Sequence, residues 1–134
     1  MISVILDIKN ETKFTFSAKD VEKVILDVLK NHNITGEIEV GLKLVSKNVM
    51  QKMNKEYRGK DMPTDVLSFP LVEDLIHNKN TLENCPLLLL GDIVVCPAII
   101  KKNAKEFEST DEKEFLKMIE HSTLHLIGIH HKGD

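Results

Sequence analysis

The stretch "HSTLHLIGIHHKGD", residues 121–134, gathers four of the chain's six histidines between His121 and His131. No Asp, Glu, Lys or Arg occurs between Glu120 and Lys132. Imidazoles in an apolar, uncharged segment are either core residues bonded to carbonyls or the ligands of an ion, and spacing separates the two. His121 and His125 stand four apart. On a helix that is about 40° around the axis and one turn along it, so both rings can face one point. Gly128 stops such a helix, because glycine takes the left-handed conformation at little cost. The chain can then turn back so that His131 reaches the same point. The pattern His-x3-His-x5-His supplies three imidazoles and leaves a fourth position open, a layout of catalytic zinc. A structural zinc more often takes four ligands, commonly with cysteine. Neither Cys85 nor Cys96 is near in sequence.

The same spacing fits His-Glu-x-x-His-x-x-Gly-x-x-His, the metzincin protease pattern. Ser122 occupies the place of the glutamate, the general base of those enzymes. Ser is a poor base at neutral pH, so the ligand spacing is protease-like while the peptidase base is missing.

A second group of residues lies in "NKEYRGKDMPTDVLSFP", residues 54–70, which holds the one arginine, Arg58, in a chain with 17 lysines. Arginine offers planar, forked donors suited to phosphate and stays charged at any relevant pH. Its neighbour Lys60 is a candidate to bind substrate with it. Lys47, Lys52 and Lys55, with Lys101, Lys102 and Lys105 further on, would give a positive groove if they converged near the histidines. Asp65 and Asp92 each fall at a strand edge in a Pro- or Gly-punctuated stretch, where either supports the site or simply makes a turn.

These groups need elements to position them. "ISVILDI" (2–8) is short and β-branched, a strand. Residues 17–33 carry Val21, Val24, Ile25, Val28 and Leu29 at helical spacing behind Ser17 as N-cap. Alternating Ile38, Val40, Leu42 and Leu44 mark a half-buried strand within 37–46. A second helix runs from the cap Ser46 to a stop at Gly59. The Pro-containing loop from 60 leads into a short strand ending at Pro70, and 71–86 is expected to be a loop. The apolar run 87–97 is a buried strand interrupted at Gly91. A helix starts near Pro97, which suits a first helical turn. The last begins at Ser109, Thr110 or Asp111 and stops at Gly128. The order βαβαββαα defines an α+β fold: a small mixed sheet packed on helices, the last of which carries the metal-binding histidines.

With 134 residues the chain is expected to form one domain, 1–134, with a core that needs no staples. A net charge of −3 argues against general coating of polyanions but leaves room for a local basic groove. Two cysteines are too few for a disulfide framework and read as small buried hydrophobes in a reducing compartment. The N-terminus lacks a basic start and a cleavage site, and no apolar stretch reaches a membrane span. These features point to a cytoplasmic protein with no membrane partner.

Together, "NKEYRGKDMPTDVLSFP", "LLGDIVVCP" and "HSTLHLIGIHH" resemble the YbeY family, bacterial single-strand-specific metallo-endoribonucleases of ribosomal RNA maturation. The resemblance spans about residues 46–131. It implies an α+β fold and one Zn2+ per chain held by His121, His125 and His131, with Arg58 acting in RNA cleavage. It also implies single-stranded and ribosomal RNA as substrate, in small-subunit rRNA 3′-end processing and ribosome quality control, with the small ribosomal subunit as partner. This sequence departs from the family motif at Ser122 (Gly), Ile129 (Tyr) and His130 (Asp). The last change sets a competing imidazole beside His131, which keeps the family register. The alternatives are a zinc metallopeptidase-like hydrolase, disfavoured by Ser122, and a non-enzymatic ribosome-assembly factor with a structural zinc.

Overall fold

A computed structural model describes residues 1–78 and 87–130. The elements are β1 (Ile2–Asn10), α1 (Ala18–Asn31), β2 (Gly36–Leu44), α2 (Lys47–Arg58), β3 (Val66–Pro70), β4 (Leu88–Val95), α3 (Pro97–Glu106) and α4 (Asp111–Leu126). This is the order the sequence predicts. The helix starts are fixed locally. The hydroxyls of Ser17, Ser46 and Thr110 accept from the backbone N–H of Asp20, Val49 and Lys113, at 3.2, 3.3 and 3.1 Å. Each such cap satisfies an amide that the first turn would leave unpaired. Thr110 is thus the cap among the three residues left open at the start of the last helix, and Pro97 takes the first turn of α3.

The four strands form one mixed sheet in the order β1-β2-β4-β3. β1, β2 and β4 are parallel, and β3 lies antiparallel on the edge of β4, from Val66 opposite Val95 to Pro70 opposite Gly91. β4 does not break at Gly91. The strand continues, and the irregularity falls in its pairing: Glu39 faces Leu89 but Val40 faces Gly91, so Leu90 is an extra residue.

Alternation along the strands divides the apolar residues between two faces. Ile38, Val40, Leu42, Leu44, Leu90, Ile93 and Val95 join Val21, Ile25 and Leu29 of α1 and Phe115, Ile119 and Leu126 of α4 in the main core. Phe115 packs against Phe14 and Phe16, with ring centroids 5.2 and 5.1 Å apart, and so ties the segment before α1 to α4. On the other face Leu67 and Val94 meet Met50 of α2, with Val45 and Cys96, in a smaller cluster. Burial of the Cys96 side chain pushes its thiol pKa up, and the nearby backbone amides of Ile99 and Ala98 offset this only in part. Cys85 lies outside the described residues.

The segment after β3, expected as a loop, holds a 3-10 turn over Leu75–His77. Leu75 is fully buried, and Ile76 N–H donates to the Ile127 carbonyl at 2.9 Å. This turn therefore packs on the end of α4. Among the described residues no helix is long and apolar enough to cross a membrane.

Candidate active site

α4 carries His121 and His125 one turn apart, with ring centroids separated by 4.6 Å. The helix then ends as its glycine requires. Gly128 adopts φ +96°, its N–H donates to the His125 carbonyl at 3.0 Å, and Ile129 N–H donates to the Leu124 carbonyl at 2.9 Å. This is a Schellman closure, which reverses the chain and satisfies the last carbonyls. The reversal sets the His130 ring 4.8 Å from that of His125. His131 lies outside the described residues. Leu126 and Ile127 are buried, and Leu124 and Ile129 pack on the main core, as expected of their apolar side chains.

His121, His125 and His130 line a cavity of about 670 Å³ together with Tyr57, Arg58, Asp65, Ser68, Phe69 and Met118. β3 forms its floor, α4 one wall and the end of α2 the other. Arg58 is the last residue of α2, and the turn beyond it is fastened back onto the helix. Gly59 and Lys60 donate to the carbonyls of Lys55 and Asn54, at 3.0 and 3.3 Å. The buried Asn54 amide donates to the Met62 carbonyl at 2.8 Å, and Gln51 donates to the Asp61 carboxylate at 3.0 Å. Such fastening limits the freedom of the turn beside the arginine.

Asp65 also lines the cavity, but its carboxylate is engaged. One oxygen accepts from Val66 N–H at 2.8 Å, and the other from the Asn103 amide at 3.4 Å. The Asp65 carbonyl accepts from Cys96 N–H at 2.9 Å. Asp65 therefore pins the loop between α2 and β3 to α3 and the end of β4. Asp92 lies elsewhere, on the outer sheet face against Gly41. The lysines do not converge on the histidines: among the described residues lining this cavity, Arg58 is the one permanent cation. Lys60 is exposed and outside the lining, and Lys101 borders a separate cavity with Phe14 and Phe115.

Ser122 is completely buried, and its hydroxyl is hydrogen-bonded to that of Ser68 on β3. It points at the sheet and not at a substrate, so it does not replace the missing peptidase base. The hydroxyl pair crosses from α4 to β3 between the two helical histidines. Ser68, Tyr57 and Phe69 are cavity residues that the sequence reading did not single out. Period-2 alternation places Ser68 on the face of Val66, but no local pattern announces that it meets Ser122.

Two imidazoles one turn apart on a cavity wall are nitrogen donors suited to zinc. Among the described residues, however, no group of three or more His, Cys, Asp or Glu is placed to hold an ion. His130, as it stands, does not complete a set with the other two.

A sequence profile of the endoribonuclease YbeY family matches residues 7–134. Proteins called endoribonuclease YbeY are similar along much of the chain. One from a Thermotoga sp. is 40% identical over 97 residues, covering 72% of this chain and 56% of that protein. One from Thermotoga petrophila is 35% identical over 93% of this chain and 73% of its own length. One from Aliarcobacter butzleri is 35% identical, covering 96% and 81%. The aligned part of this chain thus spans little more than half the length of the first of these relatives. The solution structure of a protein from Thermotoga maritima, 34% identical, superposes with a TM-score of 0.61 over 97% of this chain and 77% of that one. On the profile match and the identity to these relatives, the chain belongs to the endoribonuclease YbeY family.

Proposed function

We propose that this protein is a zinc-dependent endoribonuclease that cuts single-stranded RNA in ribosomal RNA maturation. Small-subunit 3′-end processing and ribosome quality control are its settings, with the small ribosomal subunit in the cytoplasm as partner. The observation that carries the reading is the convergence of Arg58 with His121 and His125 on one open cavity, in a chain of this family.

His121, His125 and His131 would hold the ion. Bound there, zinc supplies Lewis-acid polarisation of a phosphoryl oxygen. Arg58, presented at the fastened end of α2, takes the phosphate in its planar fork and stabilises charge that develops in the transition state. The apolar residues behind the histidines lower the local dielectric and strengthen that electrostatic effect. Lys60 lies just beyond Arg58 in the chain and gives a weak, salt-dependent backbone contact outside the cavity.

The test measures zinc per chain and the cleavage of single-stranded RNA, duplex RNA and an unstructured peptide. Wild type, Arg58→Ala and His125→Ala are compared. Wild type is expected to carry one zinc and to cut the single strand alone. Arg58→Ala should keep the metal and lose roughly 100-fold or more in rate. His125→Ala should lose the metal with its far-UV spectrum unchanged. RNA cleavage at equal rates by all three proteins would refute the proposal, as would peptide cleavage without RNA cleavage.

A further inference from the structure

Tyr57 is 61% exposed, an unusual placement for an aromatic beside a cavity. Its ring is held by Phe69 of β3 in an edge-to-face contact, with centroids 5.0 Å apart and an interplanar angle of 71°. Both residues line the histidine cavity, and both also line a second cavity of about 450 Å³ on the outer sheet face. The aromatic pair is therefore the shared border of two depressions. The first contains Arg58 and the histidines. The second is lined by two lysines, Lys9 and Lys43, and two aspartates, Asp7 and Asp92, with Met53, so it carries no net formal charge.

A single strand cut beside Arg58 must lead its flanking nucleotides away over some surface. Its unstacked bases carry apolar faces that prefer an aromatic partner to water. Phe69 holds the Tyr57 ring in place before any ligand arrives, which lowers the entropy lost on stacking. A duplex keeps its bases stacked inside and offers the ring nothing.

We infer that Tyr57, held edge-on by Phe69, is the stacking platform for a base next to the bond that is cut. This inference rests on the proposed ribonuclease function and adds the residue that selects unpaired RNA.

Tyr57 is the chain's single tyrosine, and tryptophan is absent, so tyrosine emission reports on this ring alone. The zinc-loaded protein is titrated with a 2′-O-methylated single-stranded oligonucleotide, whose length is checked on a gel after the titration. Emission is corrected for absorption with N-acetyltyrosinamide. Saturable quenching is expected. Affinity should fall about tenfold or more in Tyr57→Ala and return in Tyr57→Trp. Phe107→Ala removes an aromatic that is 63% exposed but lines neither cavity, and it should bind as wild type does. An unquenched wild type that still binds, together with wild-type affinity in Tyr57→Ala, overturns the inference and leaves the nuclease function standing. A wild type that binds no single-stranded RNA overturns both.

Discussion

Gly91 is the position at which a single methyl group should do most damage. It sits where β4 shifts register against β2, at φ +152°, a region that side chains rarely adopt. A Cβ there would lie far inside contact distance of the Phe69 carbonyl oxygen. It would also stand 2.9 Å from Cδ2 of Leu126 and 3.0 Å from Cα of Pro70. Two of these three neighbours are backbone, and the third belongs to a fully buried leucine beside His125. None can swing aside. Overpacking of this kind costs about 1–3 kcal/mol, and the backbone strain adds about 1–3 kcal/mol. We expect Gly91→Ala to lose about 3–5 kcal/mol, a large share of the roughly 5–15 kcal/mol that holds a domain together. For 134 residues the unfolding entropy is about 0.28 kcal/mol/K. The midpoint in a calorimeter should therefore fall by about 11–18 °C. Gly41→Ala supplies the contrast. Its Cβ would also collide, but with the carboxylate oxygen of Asp92, the end of an exposed side chain that can rotate away. Its cost should stay below about 1 kcal/mol, or roughly 4 °C. If Gly91→Ala melts within about 4 °C of wild type, or Gly41→Ala is the worse of the two, the packing argument fails.

Two further outcomes are open to direct measurement. Ser68→Ala and Ser122→Ala should each destabilise mildly in urea, and the double variant should reveal a coupling of about 0.5–1.5 kcal/mol across the β3–α4 hydroxyl pair; strictly additive losses would show that the bond contributes nothing. In a Cys85→Ser background, Cys96 should resist a thiol reagent at mildly alkaline pH until denaturant is added. Because its folded pKa is raised, the neutral thiol stabilises the fold fully below the unfolded thiol's pKa, and that contribution is lost as pH rises through the folded value. Rapid native labelling would contradict the burial that raises it.

What could be read from the sequence was what local chemistry decides. Ser17, Ser46 and Thr110 cap helices because their hydroxyls reach amides three residues on, and Gly59 and Gly128 end helices by adopting positive φ. The i, i+4 relation of His121 and His125 follows from helix geometry alone, and the element order follows from hydrophobic period. Long-range relations were not legible. The placement of β4 between β2 and β3 depends on how whole elements pack, and so does the docking of Leu75 and Ile76 on α4. The scatter of the lysines away from the histidine cavity is of the same kind. The bulge at Leu90 shows in the sequence only as an interruption at Gly91, since one glycine looks the same in a broken strand and in a shifted one. His131, on which the expected ligand set depends, lies outside the described residues.

The construction of the cavity from α2, β3 and α4 has a consequence in time. Its floor and one wall come from β3 and the end of α2, but its other wall is α4, which begins only at Asp111. A chain made only as far as β3 has Arg58, yet neither the β4 strand that β3 pairs with nor the histidines opposite it. The complete constellation comes into being only once α4 has emerged and docked on β3 and β4. The cavity is therefore assembled from distant parts of the chain, and no fragment that lacks α4 can bring Arg58 and the helical histidines together.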